Sequence, residues 1–154
     1  MTDRSFLLDA RNVIRILPHK PPAVLIDRVI EVIPGQRVLA QKCVTQSEAA
    51  MLGHFPGLPV LPAGTIIEAM VQACTVLAYA TDKFDPATDI VLLVGLNKTK
   101  FRRAIVPGDL LEIEAQLGQR RSNVWRFDVK AYVNDSIVVE SGVALSTHCR
   151  DDIL

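Results

Sequence analysis

The fold is decided by residues 53–80, which read GHFPGLPVLPAGTIIEAMVQACTVLAYA. The first twelve of these residues hold three prolines and three glycines around a single histidine, His54. A segment of this kind has few backbone conformations to lose on folding, so it can hold a side chain in a fixed orientation. We therefore expect a stiff loop that presents the His54 side chain.

The second half of the segment predicts a buried helix. No glycine or proline interrupts residues 65–80, and a helix of that length spans about 24 Å. The polar residues are spaced three, four and three apart, which places them on one narrow face of the helix. They are Thr65, Glu68, Gln72 and Thr75.

Two interpretations of this polar stripe are open. It is either the thin water-facing side of a core helix or the lining of a cavity. In the second case Glu68 is a desolvated acid that carries a proton, because apolar surroundings penalise its charged form. The presence of His54 on the adjoining stiff loop favours the cavity.

Composition limits the class of protein. A length of 154 residues predicts one domain spanning residues 1–154, and 49% hydrophobic residues with 5% aromatics indicate a soluble, largely aliphatic core. Seventeen basic and seventeen acidic residues cancel, which argues against nucleic acid or an anionic membrane as the partner.

Neither targeting nor metal chemistry is indicated. The N-terminus shows no secretory signal, and the apolar helix is too short and too polar at Glu68 and Gln72 to span a membrane, so we expect a cytoplasmic protein. The three cysteines are widely spaced and lie in no ligand pattern with the histidines. We therefore expect neither a metal nor another cofactor.

The remaining segments predict about six strands, most of them linked by hairpins. They cover residues 24–32, 37–45, 90–103, 111–117, 125–133 and 136–147. A helix that is apolar nearly all round must be enclosed, so we expect an α+β fold with an antiparallel sheet curled around it. The run at residues 90–96 lacks alternation, as in a strand covered on both faces. One helix cannot cover every sheet surface, so we also expect subunits to pair.

Several motifs follow one another in step between residues 16 and 110. They are LPHK at 17–20, IDRV at 26–29, GHFPG at 53–57, PV at 59–60, IIEAM at 66–70, KFRR at 100–103 and VPGD at 106–109. Together they resemble the (3R)-hydroxyacyl-acyl-carrier-protein dehydratases of FabZ type. The resemblance implies a hotdog fold, in which the sheet wraps around a central helix. It also implies dimers, often assembled as trimers of dimers, with each active site shared between two subunits.

The chemistry of these residues fits the elimination of water. Removal of the C2 proton of a thioester needs a base that titrates near neutrality, and loss of the C3 hydroxyl needs a proton donor. By resemblance, His54 is the base, and Glu68 is the acid or holds the water. Backbone N–H groups of Ala63 and Gly64, at the positive end of the helix, suit the oxygen of the developing enolate.

Further residues complete the predicted site. We assign Phe55, Gly57 and Gln72 to the substrate site, with Gln72 as the partner of Glu68 one helical turn away. His19 is interpreted as a residue that forms hydrogen bonds within its loop and not as a catalytic one.

The expected macromolecular partner is an acidic acyl carrier protein. A basic cluster is suited to steer it electrostatically. The cluster consists of Lys98, Lys100, Arg102 and Arg103, extended by Arg120 and Arg121. The alternative for these residues is an ordinary solvated strand end.

Three departures from the family pattern affect residues expected to face the substrate. Ala63 stands where the family usually has glycine, Ala50 and Met51 replace two phenylalanines, and Pro21 and Ala23 replace an aromatic pair. Since two of these changes remove bulk, we expect an acyl tunnel that is wider or differently shaped. A polyketide or another specialised acyl chain is then a plausible substrate.

Three other functions remain open. A hotdog thioesterase needs only an acid or base such as Glu68 to activate water, but His54 in its complete pentapeptide favours dehydration. The altered helix start suggests a non-catalytic paralogue that binds the carrier. An isomerising dehydratase is disfavoured because that family typically has aspartate where Glu68 stands.

Overall fold

The computed structural model describes residues 6–153. Its strands are β1 (Phe6–Leu8), β2 (Arg28–Ile33), β3 (Arg37–Cys43), β4 (Asp89–Phe101), β5 (Leu110–Arg121), β6 (Val124–Val133) and β7 (Ser136–Cys149). Its helices are α1 (Ala10–Ile16) and α2 (Ala63–Thr81), with short 3-10 turns at Ala49–Met51 and Arg150–Asp152. The described strands form one antiparallel sheet in the order β1-β2-β3-β5-β6-β7-β4.

Helix α2 is the centre of the fold. It packs against β2, β3, β5 and β6, and its side chains from Ala69 to Ala78 are buried. By length and composition it is apolar enough to cross a membrane, but 61% of its most apolar window is buried inside the protein, as in a core helix. The predicted α+β architecture, a sheet wrapped around one long helix, is confirmed.

The N-terminal part of the sheet differs from the prediction. β1 is a three-residue strand that pairs with β2, and it is too short to give a periodic signal. β2 begins at Arg28 and not at residue 24. The reason is tertiary, because the backbone groups of Ala23 and Leu25 form hydrogen bonds with the side chain of Gln72 on α2.

Strand β4 lies at the edge of the sheet. Among the described strands it pairs with β7 alone. Within residues 6–153 the predicted cover on both faces is incomplete, because four apolar residues of β4 are exposed by 40 to 55%. They are Leu92, Leu93, Val94 and Leu96. An apolar edge strand of this length is a surface that another chain can cover.

Candidate active site

The loop that carries His54 is held by backbone hydrogen bonds. Phe55 and Leu58 exchange both of their N–H···O bonds, at 2.9 Å each, and Leu61 donates to the carbonyl of Ile105. Gly53 and Gly57 adopt φ values of 75° and 74°, in the left-handed region that favours glycine. These bonds and the two glycines hold the loop in a tightly bent conformation.

The position of the His54 ring defines its tautomer. Nδ1 lies 2.8 Å from the carbonyl oxygen of Val60. Since a carbonyl oxygen can only accept, Nδ1 carries the proton, and Nε2 keeps a lone pair. The ring stacks on Phe55 with centroids 4.4 Å apart, and Phe55 itself is 56% exposed. His54 is thus oriented to act as a base through Nε2.

His54 lines a cavity at the N-terminus of α2. The cavity has a volume of about 420 Å³ and is lined by His54, Val60, Leu61, Ala63, Ile66, Phe101, Arg102, Arg103, Ala104 and Ile105. Ala63 contributes to its wall as the first residue of the helix.

The first turn of α2 supplies unused donors. Ile66 is the first residue of the helix to donate within it, to the carbonyl of Pro62. The N–H groups of Ala63, Gly64 and Thr65 have no carbonyl to reach inside the helix, and they lie at its positive end. The predicted donors Ala63 and Gly64 are therefore exposed at the helix start, with Ala63 at the cavity.

Glu68 has an environment different from the one predicted. Its Oε1 accepts hydrogen bonds from Nε2 of His19 at 3.1 Å and from Nε2 of Gln72 at 2.9 Å. The Glu68 side chain is 38% exposed. Burial raises the pKa of Glu68, but the hydrogen bonds from His19 and Gln72 and the charge of His19 outweigh it, so the pKa lies below the ordinary value of 4.5. Within one chain the two donors stabilise the carboxylate form of Glu68, whereas the helix sequence alone suggested a neutral acid.

Gln72 is the partner of Glu68, as predicted, but it offers no surface to a substrate. It is fully buried, and its side chain donates to Glu68 and to the carbonyl of Ala23 while it accepts from the N–H of Leu25. Thr75 is also buried, and its hydroxyl donates to Val71. The far half of the polar stripe therefore belongs to the core and does not line a cavity.

His54 and Glu68 are not brought together within one chain. No hydrogen bond or ion pair joins them among residues 6–153. At 3.6 residues per turn, Glu68 lies about 140° around the helix from Ala63 and about 160° from Ile66, which line the His54 cavity. Glu68 thus points to the side of α2 opposite to that cavity.

Four residues of the predicted basic cluster lie near the His54 cavity or its neighbouring strand end. Arg102 and Arg103 line the His54 cavity. Glu140 contacts Arg102 at 2.8 Å and Lys100 at 3.8 Å, and Asp109 contacts Arg103 at 3.2 Å. With Lys98, four cations face two carboxylates, so the cluster keeps a net charge of +2.

Arg120 does not belong to this cluster. It pairs with Asp82 and lies over the ring of Trp125, 4.2 Å from its centroid. Asp82 caps the C-terminal end of α2, whereas the His54 cavity lies at the N-terminal end. The two ends of a helix of this length are about 28 Å apart. The extension of the cluster to Arg120 is therefore wrong.

Two further features were not predicted from the sequence. Met51 is 5% exposed and packs in the core, so the loss of an aromatic residue there changes core packing more than a cavity wall. Lys42 is a buried cation whose Nζ lies 2.9 Å from Glu48, which also accepts from the N–H of Thr45. This ion pair stabilises the segment that leads into the His54 loop. The pair could not be predicted from sequence, because a lysine on an alternating strand is normally exposed.

Comparison with known proteins identifies the family. A family model described as FabA-like domain matches residues 17–142. The chain is 42% identical over 137 residues to the 3-hydroxyacyl-[acyl-carrier-protein] dehydratase FabZ of Anaeromyxobacter sp. (strain Fw109-5), covering 88% of this chain and 87% of that protein. It is 39% identical over 133 residues to the protein of the same name from Myxococcus xanthus (strain DK1622), covering 86% and 87%.

Among solved structures, the dehydratase heterocomplex ApeI:P from Xenorhabdus doucetiae is similar in fold. Its TM-score is 0.76 at 23% sequence identity, with 92% of this chain and 93% of that chain covered. The structural likeness supports the hotdog architecture, and the sequence relatives show to which family the chain belongs. The chain belongs to the FabA-like domain family, and within it to the 3-hydroxyacyl-[acyl-carrier-protein] dehydratases of FabZ type.

Proposed function

We propose that this protein dehydrates (3R)-3-hydroxyacyl thioesters of an acyl carrier protein to trans-2-enoyl thioesters, in cytoplasmic fatty acid or related polyketide biosynthesis. The observation that carries this proposal is the bond from Nδ1 of His54 to the carbonyl of Val60. It leaves Nε2 as a base in a cavity next to the helix N-terminus. A base beside unused N–H donors is what removal of a proton next to a thioester carbonyl requires.

His54 is proposed to move the proton in both halves of the reaction. The C2–H bond breaks, its proton goes to Nε2, and the electron pair shifts towards the thioester oxygen as in an enolate. The pair then returns to form the C2–C3 double bond as the C3–O bond breaks. The leaving hydroxyl takes the proton from Nε2 and departs as water. Glu68, whose lowered pKa keeps it ionised at neutral pH, accepts a hydrogen bond from the 3-hydroxyl group and holds the departing water.

The start of α2 is proposed to stabilise the negative charge that develops on the thioester oxygen. Ala63 is the first helical residue and lines the cavity, so its N–H is the donor best placed for this role, with Gly64 beside it. The alanine methyl group does not remove this N–H. The altered helix start is thus compatible with catalysis.

The complete site is proposed to contain two subunits, as dimers or trimers of dimers. Because α2 separates Glu68 from the cavity of His54 in one chain, a second copy must supply the other residue. The exposed apolar edge strand β4 ends at Phe101, which lines the His54 cavity. Pairing of two copies along β4 would bury this edge beside the site.

The carrier protein is proposed to dock at the mouth of the same cavity. Arg102 and Arg103 line it, and the cluster with Lys98 and Lys100 keeps a net positive charge. An acidic carrier would be steered to this side of the molecule, and the attraction would weaken as salt increases.

The test is an assay of crotonyl thioester with separate detection of hydration and of free thiol. We expect reversible hydration without thiol release, and losses on the order of 10² to 10⁴ in His54→Ala and Glu68→Gln. His148→Ala and Glu114→Gln are matched controls that should keep the wild-type rate. Release of free thiol without hydration would identify a thioesterase, and a wild-type rate in His54→Ala would contradict the mechanism.

A further inference from the structure

Glu68 has two carboxylate oxygens in unequal surroundings. Oε1 accepts hydrogen bonds from Nε2 of His19 at 3.1 Å and from Nε2 of Gln72 at 2.9 Å. Oε2 accepts no hydrogen bond within residues 6–153. The chain therefore saturates one oxygen of a half-exposed carboxylate and leaves the other free.

The first of the two donors, Gln72, has a fixed side-chain orientation. The amide of Gln72 is buried and locked at both ends, since its oxygen accepts from Leu25 N–H and its nitrogen donates to the carbonyl of Ala23, each at 2.8 Å. Its second N–H can then point only to Glu68. Gln72 thus fixes Oε1 from the core side.

The second donor, His19, lies on a surface loop that has hydrogen bonds of its own. Lys20 reaches back through Nζ to the carbonyl of Ile14 at 3.1 Å, and Ala23 N–H donates to Lys20 at 2.8 Å. Pro18 and the pair Pro21-Pro22 restrict the backbone on either side. His19 is therefore carried in a fixed position above Glu68.

Nε2 of His19 is the donor in this contact whether the ring is charged or neutral, and in the neutral ring one tautomer is favoured. Nδ1 is buried and has no hydrogen-bond partner in the described part of the chain. A proton on Nδ1 would be a buried donor without an acceptor, which is costly, whereas a proton on Nε2 is shared with the carboxylate. His19 is thus a donor to Oε1.

We propose that His19 is a positioning residue, which together with Gln72 holds Oε1 of Glu68 so that Oε2 alone meets the 3-hydroxyl group of the substrate. This inference rests on the proposed function. Without His19 the carboxylate can rotate about its last side-chain bond, so that a smaller fraction of molecules presents a free oxygen at the correct angle. The loss appears in the chemical step and not in binding of the acyl chain.

The experiment compares His19→Ala with His19→Gln, whose amide nitrogen lies at about the same reach as Nε2. We expect His19→Ala to lower kcat on the order of 10- to 100-fold with KM changed less than threefold, and His19→Gln to recover most of the loss. His148→Ala is the matched control, because His148 contacts Ser146 on β7 and lies outside the site. It should behave as wild type.

A second readout does not depend on activity. In carbon-13 NMR titrations of the glutamate carboxyls, the pKa of Glu68 should rise in His19→Ala and return towards wild type in His19→Gln. A wild-type kcat in a folded His19→Ala protein, or an unchanged Glu68 pKa, would overturn the inference. Absence of hydratase activity in the wild type would instead refute the proposed function, while the titration still decides whether His19 holds Glu68.

Discussion

At the level of single residues, His54 and Glu68 share one arrangement. Each has one polar atom engaged by the protein and one left free, since Nδ1 of His54 is bound to Val60 and Oε1 of Glu68 to His19 and Gln72. In the proposed mechanism, the engaged atom fixes the orientation of the free one before substrate arrives. Pre-set geometry of this kind removes reorganisation from the reaction barrier.

The lowered pKa of Glu68 has a consequence for stability. A carboxyl whose pKa is lower in the folded chain than in the unfolded chain stabilises the fold above the unfolded value, and this contribution is lost as pH falls through the folded value. The free energy of unfolding of wild type minus that of Glu68→Gln should therefore be largest near neutral pH and shrink below pH 4.5. Denaturant titrations from pH 7 downwards measure it, and a difference that grows on acidification would contradict the lowered pKa.

The contact of Glu68 with Gln72 could be predicted from sequence, but the ionisation of Glu68 could not. The two residues are one helical turn apart, so their proximity is a local property. The apolar neighbours of Glu68 along the helix suggest desolvation alone. Of the two donors that lower the pKa of Glu68, His19 has the larger effect, and it lies on a loop far away in sequence.

At the level of the elements, the start of α2 is the feature most open to test. Pro62, with φ −59° and ψ 141°, already has the backbone conformation that a following proline requires. Proline is also well accepted at the first helical position, where it deletes only a free N–H.

We therefore predict that Ala63→Pro folds but loses on the order of 10² to 10³ in kcat, because it removes the proposed oxyanion donor. Ala63→Gly is the control, since it removes the methyl group and keeps the N–H. It should stay within tenfold of wild type. Equal activity in the proline and glycine variants would show that Ala63 N–H is not the donor.

The elements themselves were predictable where their signals are local. The uninterrupted apolar run predicted α2 to within two residues at its start. Strict alternation predicted β6 and the first part of β5, which continues to Arg121 beyond the predicted residue 117. The start of β2 was predicted wrongly because Gln72 forms hydrogen bonds with the preceding backbone. β1 was not predicted because a three-residue strand is too short to show alternating hydrophobicity. In both cases the deciding contact joins distant segments.

At the level of the whole molecule, one chain has an exposed apolar edge at β4, and it keeps His54 and Glu68 apart. The sequence indicated the first through the unbroken apolar run in β4, whose expected cover is not supplied by the described residues 6–153. It indicated the second only through the family resemblance, since helical spacing alone does not locate His54. Both features support the proposed pairing with a second copy.

The most direct test of a dehydratase site shared between subunits is to mix two inactive variants. His54→Ala and Glu68→Gln are unfolded together in equal amounts, refolded, and assayed for hydration of crotonyl thioester beside each variant refolded alone. Random pairing forms mixed dimers with one intact and one doubly altered site, so we predict recovery to about one quarter of the wild-type activity. A mixture no more active than its separate components would contradict the account.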